Sequence, residues 1–116
     1  MSNKLKIKNK INIDNVEKRI INYPYINNLL KDHIASLSKI NPPFIDQVHI
    51  FIEWLNRYQD TSIMLLEEME RMLDRVSKSN VKNIEILFKR LKNTIDKDQF
   101  KSVDSELFLL NYFIFN

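Results

Sequence analysis

Only two histidines, His33 and His49, occur in the 116 residues, and there is no cysteine. Thiolate chemistry, disulfides and a Cys-ligated zinc site are therefore excluded, and imidazole with carboxylate is the chemistry to weigh first. Asp46, His49 and Glu53 stand at i, i+3 and i+7, which puts all three on one face of a helix. Carboxylate-x-x-His is half of the di-iron bundle pattern, which needs a second such pair and two more carboxylates from facing helices. The residue three before His33 is Leu30, so the second pair is missing. The Asp46–His49–Glu53 face also points away from the apolar stripe of its own segment. We read it as a solvated ion-pair face, with no metal and no cofactor. His33 falls inside an apolar arc, and Asp32 is turned about 100° away from it round the helix. It reads as a core-edge histidine whose nitrogens bond backbone or water.

Nucleophilic catalysis has no support. Ser36, Ser38, Ser62, Ser77, Ser79, Ser102 and Ser105 lie in helical segments or caps, none on a nucleophile elbow. The carboxylate pairs Glu67/Glu68 and Asp96/Asp98 sit on polar faces or in a loop, where neither member is desolvated as acid–base work requires. The expectation is a chain that is not an enzyme and takes no small-molecule substrate.

Two basic features could meet nucleic acid. One is the N-terminal ribbon "KLKIKNKINI", in which Lys4, Lys6, Lys8 and Lys10 alternate with Leu5, Ile7, Ile11 and Ile13 around Asn9 and Asn12. The other is a stripe of Lys78, Lys82 and Lys89, with Arg90 and Lys92 nearby. Counterion release makes such charges useful on a phosphate backbone. Arginine is sparse, and no helix-turn-helix or zinc-finger signature is present. A nucleic-acid-binding regulator is thus the alternative reading.

The leading reading is a protein–protein interaction module of adaptor, chaperone-like, immunity or inhibitor type, working as a homo-oligomer or on a protein partner. Its support is the C-terminal run "LFLLNYFIF", apolar on every side. Val103, Leu107, Leu110 and Ile114 make one helical stripe, which leaves Phe108, Leu109, Tyr112, Phe113 and Phe115 as candidate contact residues. Phe51, Trp54, Met64, Met69 and Met72 widen the apolar supply. The competing reading buries the run on all sides, as the central helix of a monomer.

These residues need elements to hold them. From Asp14 onward the apolar period changes from 2 to 3.6. "DNVE" reads as a capping box, with Asp14 as N-cap and Glu17 at N3, and a short helix runs from there to about Asn22. Pro24 kinks that helix or opens a new one. Ile26, Leu29, Leu30, His33, Ile34, Leu37 and Ile40 share one arc of the next helix. "PFIDQVHIFIEWLNRY" reads as a central helix touching neighbours on two sides. "IMLLEEMERMLDRV" turns Leu65, Leu66, Met69, Met72, Leu73 and Val76 inward, with Glu67 and Arg71 paired outside. "VKNIEILFKRLKNTI" buries Val81, Ile84, Leu87, Phe88, Leu91 and Ile95. The last segment, from Ser102, reads as helix rather than strand.

The fold class is therefore all-α: a small bundle of five to six helices over residues 14–116, after an extended or disordered basic arm over residues 1–13. A strand in that arm would pair with another chain or with the C-terminus. The chain has no glycine, where average usage of about 7% predicts roughly eight. That argues against tight β-hairpins and phosphate-cradling loops. With the excess of Ile, Asn and Lys it also suggests AT-rich coding, of bacterial or viral origin. The net charge of +3 belongs to the arm, because the rest of the chain is one charge to the acidic side. No signal-peptide pattern follows the lysines. "LFLLNYFIF" as a helix spans about 13 Å against the ~30 Å of a bilayer core. The expected location is the cytoplasm, or a host cytosol if the chain is viral or exported by a dedicated system, with no membrane span.

Overall fold

The structure, a computed structural model, describes residues 9–39, 44–45, 48–94 and 97–115. It is an all-α bundle. Its helices are α1 (Ile13–Ile20), α2 (Pro24–Leu37), α3 (Ile50–Arg57), α4 (Asp60–Ser77), α5 (Ile84–Lys92) and α6 (Lys97–Phe115). Two dipeptides, β1 (Asn9–Lys10) and β2 (Phe44–Ile45), pair antiparallel with Asn9 opposite Ile45 and Lys10 opposite Phe44. The extended end of the arm therefore pairs within the chain, with a segment read from sequence as the start of a helix. Lys4, Lys6 and Lys8 lie outside the described residues.

The core is continuous. α3 packs on α1 and α4, α2 on α1, α4 and α5, and α6 on α4 and α5. Phe51, Leu55, Leu66, Leu73, Leu91 and Leu107 are fully buried at its centre. Ile11 is buried too, so the arm enters the core before α1 begins. Burying one such side chain is worth roughly 1.5–3 kcal/mol, which is what holds these short helices.

Without glycine, two other residues among those described adopt left-handed backbone: Tyr58 (φ 48°), after α3, and Asn83 (φ 63°), before α5. For tyrosine this costs on the order of 1 kcal/mol. Several helix ends are closed by side chains from far along the chain. Pro24 opens α2 at its first position, as one of the two readings had it, and Tyr23 before it offers no side-chain cap. Glu70 of α4 supplies the cap: its carboxylate accepts the Tyr25 N–H (2.9 and 3.1 Å) and the Ile26 N–H (3.0 Å). We expect Glu70→Ala to cost about 1–2 kcal/mol in urea denaturation, and Glu70→Gln, which keeps an acceptor, to recover part of it.

Several local expectations change. The α1 cap is Asn12, not Asp14, because the Asn12 side chain accepts the Asn15 N–H at 3.1 Å. Arg71 pairs with Glu68 rather than Glu67. Leu65 is not inward but 42% exposed, since the α4 stripe is narrower than its apolar content. Val81, Ile84 and Phe88 are only partly buried, while Leu87 and Leu91 carry the inner face of α5. Ile40 and Ile95 lie outside the described residues. The C-terminal segment is helical, with Val103 and Leu107 buried and Leu110 and Ile114 packed beside them.

Candidate functional site

The largest departure from the sequence reading is His49. β2 keeps Phe44 and Ile45 extended, so α3 starts seven residues later than the sequence suggests. His49 is then not on a solvated helix face. It is the N-cap of α3 and 1% exposed. Its Nδ1 accepts the Phe51 N–H at 3.1 Å, and its Nε2 lies 2.7 Å from the Leu91 carbonyl. A backbone N–H can only donate and a carbonyl can only accept, so the ring must be neutral with its proton on Nε2. Burial pushes the His49 pKa down to about 4. Asp46 lies outside the described residues, and Glu53 is half-buried beside Arg57 at 3.9 Å.

His33 ends beside His49, with ring centroids 5.3 Å apart in an edge arrangement. It sits at a core edge on backbone, as expected: its Nε2 lies 2.6 Å from the Lys92 carbonyl and so donates to it. Thr94 Oγ1 donates to Arg90 O at 2.7 Å. Three successive carbonyls at the end of α5 are thus each taken by a side chain. The two histidines serve as a cap here. Among the described residues, no three His, Cys, Asp or Glu side chains converge in a way that could hold a metal ion.

From His49 an aromatic series runs across the bundle. The ring of Phe51 lies 4.7 Å from His49, 5.3 Å from Trp54 and 5.8 Å from Phe100. Trp54 and Phe100 meet edge to face at 5.5 Å. The series ends at a groove of about 570 Å³ between α4 and α6, walled by Trp54, Leu65, Met69, Phe100 and Phe108.

The outer face of α6 carries four of the five aromatic and aliphatic residues singled out from the sequence. Phe108 is 60% exposed, Leu109 52%, Tyr112 54% and Phe113 73%. The side chain of Phe115 lies outside the described part. The helix is therefore not buried on all sides. Met64 and Leu65 of α4 are exposed as well. A second groove, of about 350 Å³, lies on the other flank of α6, between Phe113 and residues Val81 to Leu87. Leu109 borders both grooves.

The basic residues are more dispersed. Lys10, Lys82 and Lys89 are exposed. Lys78 pairs with Asp74 (3.0 Å), Arg90 with Glu106 (2.7 Å) and Lys92 with Asp32 (2.8 Å). Each partner holds its acid below the usual carboxylate range through a hydrogen bond.

One residue of the groove escaped the sequence reading altogether. Asp104 is half-buried and lines the α4–α6 groove, and desolvation raises its pKa. Among the described residues it has no hydrogen-bond or ion-pair partner. Its position on the wheel beside Leu107 and Phe108 was the available signal. No family model, curated protein or solved structure matches the chain. No helix among the described residues is long and apolar enough to cross a membrane.

Proposed function

We propose that the chain is a small non-enzymatic protein–protein interaction module, of adaptor, chaperone-like, immunity or inhibitor kind, that self-associates through the outer face of α6. The observation that carries this reading is the cluster of Phe108, Leu109, Tyr112 and Phe113, all more than half exposed, on a stretch with no charged residue after Glu106. Apolar patches of that kind mark contact surfaces on folded domains. The exposed methionine and leucine of α4 extend the surface, and methionine adapts to varied partners. The alternative, a regulator that grips nucleic acid with Lys78, Lys82 and Lys89, is less favoured because Lys78 and neighbouring Arg90 and Lys92 are already paired with acids.

Light scattering over a range of protein concentrations tests the proposal. The parent chain is expected to rise from monomer toward dimer mass. Phe113→Asp should weaken association at least about 30-fold, the loss of roughly 2 kcal/mol typical of an anchor residue. Its unfolding midpoint should hardly move, because the side chain is 73% exposed. A parent chain that stays monomeric, or a Phe113→Asp protein that still dimerises, overturns self-association through this face.

A further inference from the structure

The α4–α6 groove has a charge character that its apolar walls conceal. Two ionisable residues line it, Asp104 and Glu68, and both are acids. Glu68 is satisfied by Arg71. Asp104 is not satisfied among the described residues, and it sits half-desolvated against Trp54, Phe100 and Phe108. A half-buried carboxylate with no protein partner is partly stripped of water, and one cation brought to it with apolar neighbours would offset that loss. An occupant that carries a cation flanked by apolar side chains fits both features. The chain contains one such stretch: Lys4, Lys6 and Lys8 alternate with Leu5 and Ile7, with no acid before Asp14.

We propose that the lysine segment at residues 4–8 of a second copy docks in the α4–α6 groove and gives Asp104 its cation. This rests on the self-association proposed above and names a second contact within it. The placement of the arm favours a second copy over the same chain. Asn56 anchors the arm, donating from Nδ2 to Lys10 O at 3.1 Å and accepting the Asn12 N–H at 2.9 Å. Two residues along α3 is a rotation of about 200°. Asn56 and Trp54 thus lie on opposite sides of the helix, so the arm meets the body on the side away from the groove.

Trp54 is the only tryptophan in the chain and reports directly on the groove. The receptor for the test is the full chain carrying Lys4→Glu, Lys6→Glu, Lys8→Glu and Phe113→Asp, so that neither its own segment nor the α6 face competes. The probe is a synthetic peptide of residues 1–9. Titration should change Trp54 emission saturably. The same receptor with the isosteric Asp104→Asn should bind at least tenfold more weakly, and a peptide with glutamate at positions 4, 6 and 8 should give no signal. In the otherwise native chain, Lys6→Glu should weaken self-association, and adding Asp104→Lys should restore it. No Trp54 response, or one undiminished by Asp104→Asn, overturns the assignment. So does a native chain in which the three Lys→Glu changes shift Trp54 emission equally at every dilution, which places the segment in its own groove. The peptide titration does not depend on the parent dimer, so failure here is distinct from failure of the α6 surface.

Discussion

Between pH 6.5 and pH 4 the protein should lose about 3 kcal/mol of stability through one residue, His49. The folded protein holds this imidazole neutral down to about pH 4, whereas the unfolded chain takes up a proton near the ordinary value of 6.5. The unfolded state therefore binds more protons throughout that window. Stability is fully present above pH 6.5, falls as the pH drops, and levels off for this group below about 4. The structural reason is that both ring nitrogens are committed. Protonating Nδ1 would set an N–H against the N–H of Phe51 and strip α3 of its cap.

Urea denaturation at pH 7, 6, 5 and 4 measures the loss. His49→Asn should flatten that pH slope. It should also lower stability at pH 7 by about 1–3 kcal/mol, since the Leu91 carbonyl loses its donor. An unchanged slope in His49→Asn sinks the assignment. The depressed carboxylates Asp32 and Glu106 are exposed and Asp74 is partly so; they act at lower pH, below their ordinary range, where such pairs contribute little. Asp104, raised by burial, works weakly the other way.

Replacing Arg19 should cost nearly as much at any pH. Its Nη1 donates to the carbonyls of Leu55 (2.7 Å) and Asn56 (2.9 Å), closing the end of α3. The guanidinium also lies 4.8 Å from the ring centroid of Tyr58, the residue held in left-handed backbone. The Tyr58 hydroxyl in turn meets that of Tyr23 at 3.2 Å. Arg19→Met keeps the apolar stem and removes the charge. It should destabilise by about 2–3 kcal/mol, from charge-assisted bonds and the cation–ring contact together. Arg19→Lys should recover only part, because an ammonium cannot bridge two carbonyls and lie flat on a ring. Thermal unfolding of the three proteins ranks them. Equal stability of Arg19→Lys and the parent would count against this account.

What could be read in the sequence followed from periodicity. The stripe Val103, Leu107, Leu110, Ile114 selects helix for the C-terminus and leaves Phe108, Leu109, Tyr112 and Phe113 outside it, where the structure has them. Pro24 at a helix start follows from its fixed φ and missing donor. Periodicity failed for His49. The run "PFIDQVHIFIEWLNRY" is apolar enough to be helical throughout, and only the pairing of β2 with β1, more than thirty residues earlier, holds its start extended. That partner is not visible in any local window. The same limit hid Glu70 and Arg19, whose roles depend on backbone groups that lie 36 to 45 residues away along the chain. Asp104 was hidden because an acid on a helix looks solvated until its neighbours are placed.

The distant caps have a kinetic meaning. An end of α2, α3 or α5 is completed by a group from another helix, so no one of these short segments can be finished alone. These capped turns should form late, together, once the chain has already collapsed. Amide protons there should exchange with solvent only through opening of the whole molecule, not by fraying one helix at a time. A fold assembled without glycine hinges and closed by its own far-off side chains behaves as one cooperative unit.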